Sequence, residues 1–552
     1  MVAVALAIVT RRILLSVLVG LFAGALLTTG GEPVRAVVEL CESHLWPTFI
    51  DPWKLRLFTF TLAMGATVGV LHAAGGMQGL VGLLTPLARG PRSGQIVGWL
   101  LGLVVFFDDY ANTLLLGGAL RPVFDRLRLS RAKLAYLVDS TAAPVAGLAV
   151  VSTWVAVEIS YIQEGLDNLP AGSDAGGGAF ALFVACLPYR FYVIQALLMV
   201  PLVALLGREF GPMLAAERRA RAGQPDESPG PGDEEPSLLE PRATHWTNAV
   251  VPLAVTLAVV TALLWATGQA ALGEGWTPPD STLLRLRDVF GAAASGLSLM
   301  YGGVAGLVTA LAMVRTRKLL SPSDTRDAVV RGVVVVLPAV AILWLAGAMS
   351  RMTGNRGPEG AVPSADPYAH AATRLYTGEY LSGLLLGEAR ESEDEGGNAD
   401  GRPPEPSAVV RGLLPTGVFV LSAAVAFCTG TSFGTMGLVV PMVVPVAYAA
   451  ASGEATPAAS PLFLAALGAV LAGAIFGDHC SPISDTTILS SAASGCDHVA
   501  HVRTQLPYAL AVAAACVLLG TLPLALGVSV WLLLPLQTVT LIVAILWFGE
   551  RP

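Results

Sequence analysis

Apolar runs long enough to cross a bilayer recur along most of this chain, and such a run needs about 20 residues. Because lipid offers no hydrogen-bond partners, backbone at that depth must form helices that satisfy their own polar groups. Hydrophobic residues make up 54% of the sequence and charged residues only 13%, which excludes an ordinary soluble enzyme. We therefore predict an all-α polytopic membrane protein, multi-pass in the cell (inner) membrane, with the lipid bilayer as its surroundings.

Ten segments read as transmembrane helices. They are 13–28, 57–82, 134–158, 189–207, 248–268, 289–314, 328–349, 462–490, 506–526 and 530–548. Two further apolar segments, 94–120 and 412–450, are interrupted near the middle by DDYANT and by CTGTSFGTMG. Backbone leaves a helix at membrane depth only where protein or water satisfies it. The two segments are therefore predicted to be re-entrant hairpins.

Carboxylates occur within or at the edge of these apolar segments, where each costs roughly 2.5–3.5 kcal/mol on insertion scales. A chain that keeps several such residues is expected to use them for an ion or proton pathway. Glu158 lies at the end of its span and is predicted to sit at the membrane interface. The candidates for the pathway are Asp108, Asp109, Asp139, Asp478 and Asp485.

The distribution of Lys and Arg predicts opposite orientations for the two hairpins. Five basic residues follow the first hairpin within 121–133, whereas 134–189 contains none, so the first hairpin should enter from the cytoplasm. The second is flanked by acidic or uncharged stretches and should enter from outside.

These orientations predict two inverted repeats. The first covers 13–207, with hairpin 94–120 and broken helix 134–158; the second covers 289–526, with hairpin 412–450 and broken helix 462–490. Segment 208–288 would be a cytoplasmic linker and connecting span, and 527–552 a C-terminal span. The two broken helices align Asp139 with Asp478, and inverted repeats of this kind hold cargo near the midplane. The alternative is two unrelated glycine-rich packing regions.

Oxygen-bearing side chains concentrate in the interrupted segments, and a hard cation such as Na+ needs several oxygen ligands. The alternative role for any single hydroxyl is helix packing, since small polar residues line membrane helix interfaces. The predicted ion or substrate ligands are Asp478, Ser481, Ser484, Asp485, Thr486, Thr487, Thr429, Thr431, Ser432, Thr435, Asp139, Asn112 and Thr113.

A carboxylate that takes either a proton or a cation couples the two fluxes by competition. We rank Asp478 and Asp485 first for this role, Asp139 second and the pair Asp108 and Asp109 third, with one of that pair an equal candidate for a helix cap.

Three histidines and one arginine receive other expectations. His479 could tune titration near neutral pH, or it could be a hydrogen-bonded structural residue. His498 and His501 are expected to be solvated in an internal loop. Arg190 is expected to snorkel toward the interface.

The motif GDHCSPISDTTILSS, together with TGTSFGTMG and FFDDYANT, resembles the NhaC-type sodium/proton antiporter family over about residues 13–526. The resemblance implies an elevator-type ion transporter, with paired hairpins in a moving transport domain. It further implies a secondary active Na+/H+ antiporter that exchanges cytoplasmic sodium for external protons by alternating access. Some relatives exchange organic anions such as malate and lactate, so a Na+- or H+-coupled organic-anion or amino-acid exchanger is the alternative. The absence of Arg from the motifs favours the cation.

Other function classes lack support in the sequence. No HExxH or comparable catalytic motif is present, and the scattered cysteines show no CxxC spacing, so neither an enzyme, a cofactor nor a bound metal other than transported Na+ is predicted. No nucleic-acid partner is implied, and a homodimer is one assembly open to such a transporter. Segment 209–247 reads as a flexible cytoplasmic linker. Segment 350–411 reads as an external insertion in which TRLYTGEYLSGLLLG forms an interfacial helix.

Overall fold

Helices form nearly all of the described chain in a computed structural model. The structure describes every residue except 1–5, 7–8, 11, 170–172, 174–176, 225–244, 274–275, 277–281, 354–407, 452–453 and 455. Across these described ranges no β-strand occurs beyond a single bridge between Glu209 and Glu550.

We number the helices α1 to α21 in chain order. The first eleven are Ile13–Thr28, Pro33–Phe49, Pro52–Ala73, Gly76–Leu84, Pro91–Val104, Asp109–Arg126, Arg131–Leu148, Thr153–Asp167, Ala179–Cys186, Phe191–Leu206 and Gly211–Arg221. The other ten are Thr247–Leu272, Thr282–Gly291, Ser295–Thr316, Pro322–Thr353, Ala408–Thr429, Ser432–Ala450, Pro461–Cys480, Asp485–Ser494, His498–Ala525 and Val530–Phe548.

Nine of the described helices are long and apolar enough to cross a membrane, or up to 12 spans if each bent pair counts as one. The predicted class, an all-α polytopic membrane protein, is confirmed. The span predicted at 57–82 is in fact two helices, because Gly75 adopts a left-handed conformation with φ 70° between α3 and α4. Helices α2 and α9 were not predicted as elements at all.

Both interrupted segments break where the polar motifs lie. Helices α5 and α6 are antiparallel: a Cβ on Gly94 would meet Leu127, and one on Gly98 would meet Leu120. The chain between them turns at residues 105–108. In the second segment α16 ends at Thr429 and α17 begins at Ser432, and both helices pack against α18. Each of these two helices is long enough to span by itself.

The two helices predicted as broken are interrupted by short turns. Helix α7 stops at Leu148 and α8 starts at Thr153, with a bend of 52° between them. Helix α18 stops at Cys480 and α19 starts at Asp485. Helices α3, α12, α14 and α15 pack as a separate group beside these elements, with Gly65 and Gly332 allowing α3 and α15 to approach closely.

The first part of the predicted cytoplasmic linker is helical. Residues 211–221 form the polar helix α11, whose buried face includes Glu217 and Ala220. The rest of that linker, and the predicted interfacial helix within 350–411, lie outside the described residues.

Candidate functional site

The four interruptions meet in pairs. The Thr153 amide donates to the Phe107 carbonyl at 3.0 Å, which joins the α5–α6 turn to the α7–α8 turn. The Asp485 amide donates to the Gly430 carbonyl at 3.4 Å, which joins the α16–α17 turn to the α18–α19 turn. Gly430 has φ 66°, and a Cβ there would lie 2.4 Å from the Ile483 carbonyl oxygen. Only glycine permits that approach.

A small acidic cavity lies between the two meeting points. It measures about 30 Å³, which is room for one or two water molecules or a small cation. Helices α3 and α15 close one side of it through Thr61 and Ile342. We call it the acidic cavity, and its polar lining comprises Thr61, Asp108, Asp109, Tyr110, Thr153, Thr431 and Asp485.

Asp485 is the carboxylate that solvent can reach. Its side chain is exposed to the cavity, accepts a hydrogen bond from the Tyr110 hydroxyl, and accepts another from the Thr486 amide at 2.8 Å. Tyr110 belongs to α6 and Asp485 to α19, so this contact joins the two halves of the chain. A cation in the cavity can therefore contact this carboxylate directly.

Asp478 lies behind Asp485 and is 1% exposed. Its Oδ2 accepts from Ser432 at 2.9 Å and from Thr486 at 3.4 Å. Its Oδ1 is buried and has no hydrogen-bond partner within the described residues. A buried carboxylate oxygen without a donor is costly, so this atom is available to a cation or to a proton.

Asp139 forms a separate buried cluster. Gln505 donates to it at 2.5 Å, Thr487 and Ser490 donate at 3.3 Å, and the Nε2 atom of His501 lies 3.5 Å away. Thr487 also donates to the Asp478 carbonyl at 3.3 Å. The Thr487 hydroxyl therefore links the Asp139 cluster to Asp478.

Sequence reasoning missed Gln505 and misplaced His501. Both lie on α20 and are buried, so the expectation that His501 is solvated is wrong. His498 is half-buried, and its ring nitrogens contact the Pro482 carbonyl at 2.7 Å and the Ser491 hydroxyl at 3.1 Å. No local motif marks these residues; only the packing of α20 against α7 and α18 brings them to the site.

The remaining predicted ligands have mostly structural hydrogen bonds. Asp108 is the N-cap of α6, accepting from the Ala111 amide at 2.8 Å and from Thr153 at 3.0 Å, so it is the capping member of the pair while Asp109 faces the cavity. Thr431 and Ser484 cap α17 and α19. Ser481 donates to the Phe427 carbonyl at 2.7 Å.

Two further predicted ligands, and His479 with its predicted role in pH tuning, lie beside the turns. Asn112 donates to the carbonyls of Gly102, Val105 and Thr141, Thr435 donates to the Thr431 carbonyl of its own helix, and His479 contacts the Tyr192 hydroxyl at 3.1 Å. Among the predicted ligands, the hydroxyls of Thr113 and Thr429 are buried with no hydrogen-bond partner in the described part of the chain.

Glu158 and Arg190 correct two expectations. Both side chains are 0% exposed and form an ion pair of 2.5 Å, with Arg190 also donating to the Gly147 carbonyl at 2.6 Å. Arg190 therefore does not snorkel and Glu158 is not at the membrane interface. The pair satisfies the end of α7, where a carbonyl lacks its helical partner.

Comparisons with known proteins show the family of this chain. The profile of the Na+/H+ antiporter family matches residues 145–357 and 407–522. This chain belongs to the Na+/H+ antiporter family. The resemblance seen in the motifs is thereby confirmed, and the family makes the protein a membrane transporter rather than an enzyme, multi-pass in the cell membrane.

Individual relatives match over different lengths. An uncharacterized protein of Haemophilus influenzae is 31% identical over 519 residues, covering 93% of this chain and 87% of its own. An uncharacterized Na+/H+ antiporter of the same organism is 44% identical over 99 residues, and the malate-2H+/Na+-lactate antiporter of Bacillus subtilis is 38% identical over 94. Each of these two matches covers 17% of this chain and under a fifth of the relative (19% and 18%).

Two solved transporter structures match this chain with TM-scores below 0.5. The YdaH transporter of Alcanivorax borkumensis gives a TM-score of 0.46 at 15% identity, over 90% of this chain and 88% of that one. The MtrF antimetabolite efflux pump of Neisseria gonorrhoeae gives 0.42 at 12% identity, over 95% and 85%.

Proposed function

We propose that this antiporter exchanges cytoplasmic Na+ for external protons by alternating access, and that the acidic cavity with Asp485 and Asp478 is its cation site. The observation that carries the proposal is the meeting of two helix interruptions around these carboxylates, one reachable and one buried with a free oxygen. Carboxylate, hydroxyl and freed carbonyl oxygens are the ligands a hard cation needs.

Competition between Na+ and protons supplies the coupling. Asp478 cannot stay charged in a buried pocket without a counterion, so it holds either a proton or a share of the cation. Ser432 and Thr486 donate to its Oδ2 atom, which leaves Oδ1 for the proton or the cation. Asp139 would join this exchange through Thr487, which contacts both aspartates.

The inverted-repeat organisation proposed for residues 13–207 and 289–526 has support from local structure. In each half a carbonyl of the hairpin turn accepts a hydrogen bond from the first amide after the break in a helix, Phe107 from Thr153 and Gly430 from Asp485. The inverted arrangement remains part of the proposal.

A second candidate function is exchange of an organic anion coupled to Na+ or H+. A neighbouring cavity of about 80 Å³ shares Asp108 and Tyr110 with the acidic cavity and is lined by His72 and Arg331. A basic side chain beside a cation site is an arrangement that suits a carboxylate cargo. The Bacillus subtilis relative is named as an exchanger of malate and lactate.

Transport in vesicles separates the two functions. Purified protein is reconstituted with a pH gradient, and dissipation of the gradient is followed after addition of Na+, Li+, K+, malate or lactate. We expect Na+ or Li+ alone to dissipate it. A response that requires malate or lactate, with none to Na+ alone, would assign the organic-anion function instead.

A further inference from the structure

Three cavities follow helix α6 in order from its last turn to its first residue. An outer cavity of about 900 Å³ is lined by Arg126 and Ala119, and the 80 Å³ cavity is lined by Leu114 and Tyr110. The acidic cavity comes last, at Tyr110 and Asp108. The cavities along α6 are therefore largest on the side where the helix ends and smallest at the hairpin turn.

Helices α3 and α15 repeat this order from the opposite wall. On α3, Gly69 lines the middle cavity and Thr61 the acidic one; on α15, Arg331 lines the middle cavity and Ile342 the acidic one. On all three helices the middle cavity therefore lies in the same direction from the acidic cavity, and on α6 the outer cavity lies farther that way. Beyond the acidic cavity, in the other direction, none of the three described cavities continues along them.

A buried ion pair lies in that other direction. Lys54 of α3 pairs with Glu164 of α8 and donates to Ser160 at 2.6 Å, and the two charged side chains are only 7% and 8% exposed. Lys54 is seven residues from Thr61, which is about 10 Å along a helix. Glu164 is eleven residues past Thr153, or about 16 Å.

Helix α15 also approaches the Lys54–Glu164 pair. Gly347 of α15 lies against this pair, since a Cβ there would come within 3.1 Å of the Lys54 Nζ atom. Close by, Asn168, which follows the last residue of α8, donates to Ser350 of α15 at 3.2 Å. The α3, α8 and α15 helices are therefore drawn together by polar contacts on the side of the acidic cavity that faces away from the open route.

We propose that Lys54 and Glu164 form a latch that closes the acidic cavity on this side and that must open before the cavity can face it. The inference rests on the alternating access proposed above. The pair joins α3, which belongs to the group with α12, α14 and α15, to α8, which packs on α17. Separation of these groups would break it.

The chemistry of the pair suits a latch. A buried ion pair is costly to break when its charges stay buried, but opening a water-filled cleft would hydrate both charges at once. The closed state is therefore favoured only while the cleft is dry. The Glu158–Arg190 pair has a different role, because Arg190 also donates to the Gly147 carbonyl at the end of α7.

The test measures access to Thr61 from each face of the membrane. Full-length protein carrying Thr61→Cys is treated in oriented vesicles with a small impermeant methanethiosulfonate, and the parent without this cysteine gives the background from native thiols. We expect reaction from the face where α6 ends. Glu164→Gln or Lys54→Gln should raise the reaction rate from the opposite face about tenfold, because a minor open state becomes common.

Charge exchange and a neighbouring residue provide the controls. The double variant Lys54→Glu/Glu164→Lys should return the opposite-face rate to that of the parent, and Ser160→Ala, which removes one hydrogen bond but keeps the ion pair, should leave it unchanged. An unchanged rate in both neutral variants would overturn the latch. If those variants do not fold, Glu164→Asp, which keeps the charge on a shorter side chain, should give a smaller rise, and its absence would overturn the latch equally.

Access is measured without any cargo, so the latch and the transport assignment fail separately. A shifted access pattern in a protein that does not exchange Na+ for protons would uphold the latch and reject the cation. Normal exchange of Na+ for protons with no change of access in the latch variants would reject the latch and uphold the cation.

Discussion

Identical carboxylates in this membrane protein have different surroundings, and these decide what each can do. Asp485 is open to the acidic cavity, whereas Asp478 is sealed behind it with one oxygen free. Asp139 accepts from an amide and two hydroxyls, Asp108 caps a helix, and Glu158 is neutralised by an arginine. Asp485 lines the cavity, and Asp478 behind it adds a buried oxygen that has no hydrogen-bond partner within the described residues.

Replacing either of these two aspartates by its amide tests the cation site. We expect Asp478→Asn and Asp485→Asn each to lower Na+-dependent proton flux at least about 100-fold, because the amide keeps the volume but lacks the charge that binds Na+ or a proton. The measurement is flux in proteoliposomes with equal amounts of folded protein. Asp125→Asn, at a half-exposed carboxylate paired with Arg131, should keep parental flux, and parental flux in both site variants would reject the assignment.

At this scale the sequence predicted the carboxylates but not their partners. Asp478 and Asp485 lie in a polar motif within an apolar segment, which is visible in the sequence alone. Gln505 and His501 stand in an ordinary helix, and their contact with Asp139 spans more than 350 residues of chain. Arg190 was misjudged for the same reason, since its partner Glu158 is apparent only after folding.

At the scale of elements, the residues at the helix ends determine where each interrupted segment breaks. Polar residues cap the helix that follows each interruption: Asp108, Ser152, Thr431 and Ser484. The motifs predicted these breaks because DDYANT and CTGTSFGTMG stand out from apolar surroundings.

The register between the repeats was not predictable in this way. Asp139 lies thirteen residues before the cap Ser152, whereas Asp478 lies six before Ser484. Aligning the two aspartates by type therefore does not align the helix breaks. By distance from the caps, the partner of Asn112 is Thr435, since each follows its cap by four residues.

The turn at Gly430 allows a test of one such element. Gly430→Ala should lower thermal stability, by about 1–3 kcal/mol, and lower transport, because φ 66° strains alanine and its Cβ would meet the Ile483 carbonyl. Thermal unfolding and flux would be compared with Gly118→Ala. Gly118 is helical with nothing within 4 Å of an added Cβ, so its replacement should be neutral or stabilising by about 0.5–1 kcal/mol. Equal effects of the two substitutions would contradict the turn geometry.

The helix α11 contact offers a pH test outside the membrane. Burial and the nearby Glu209 raise the pKa of Glu217 above its ordinary value of 4.5, although the Ser130 amide and hydroxyl donate to it at 2.9 and 2.7 Å. Folding therefore favours the protonated form. Its stabilising contribution is complete below the ordinary value and is lost as pH rises through the raised pKa.

Glu217→Gln should accordingly unfold at a higher temperature than the parent at pH 8, and the difference should shrink as pH falls toward 5. Melting curves across this range provide the measurement. Glu32→Gln, at an exposed carboxylate, should show no such pH-dependent difference. A constant offset of Glu217→Gln at every pH would mean that its charge does not matter.

For the whole molecule, composition predicted the fold class and most spans because lipid leaves the backbone so few choices. It missed α2, whose Arg35, Glu39 and Glu42 interrupt the apolar pattern, and it could not reveal how α3 and α15 pack around the site. Helix packing depends on close approaches such as Gly65 against Gly332, which no periodicity encodes.

Inverted orientation of the two halves can be tested by thiol labelling. A cysteine at Arg128, in the loop after α6, should react with an impermeant reagent only from the cytoplasm, and one at Glu454, after α17, only from outside. The reason is the excess of Lys and Arg in residues 121–133. Reaction of both positions from the same face would show that the halves are not inverted.

The proposed competition at one site also predicts how the whole transporter responds to pH. If Na+ must displace a proton from the shared carboxylates, half-saturating Na+ should rise about tenfold for each unit of falling pH per proton displaced, and should level off once the empty site is deprotonated. The measurement is Na+-dependent flux between about pH 6 and 9.

Gln505→Leu provides a comparison, because Gln505 contacts Asp139 but neither Asp478 nor Asp485. It should change the maximal rate and keep the slope. A flat profile in the parent would mean that protons and Na+ occupy separate groups, in which case the Asp139 cluster, rather than the acidic cavity, would be the place to seek the proton.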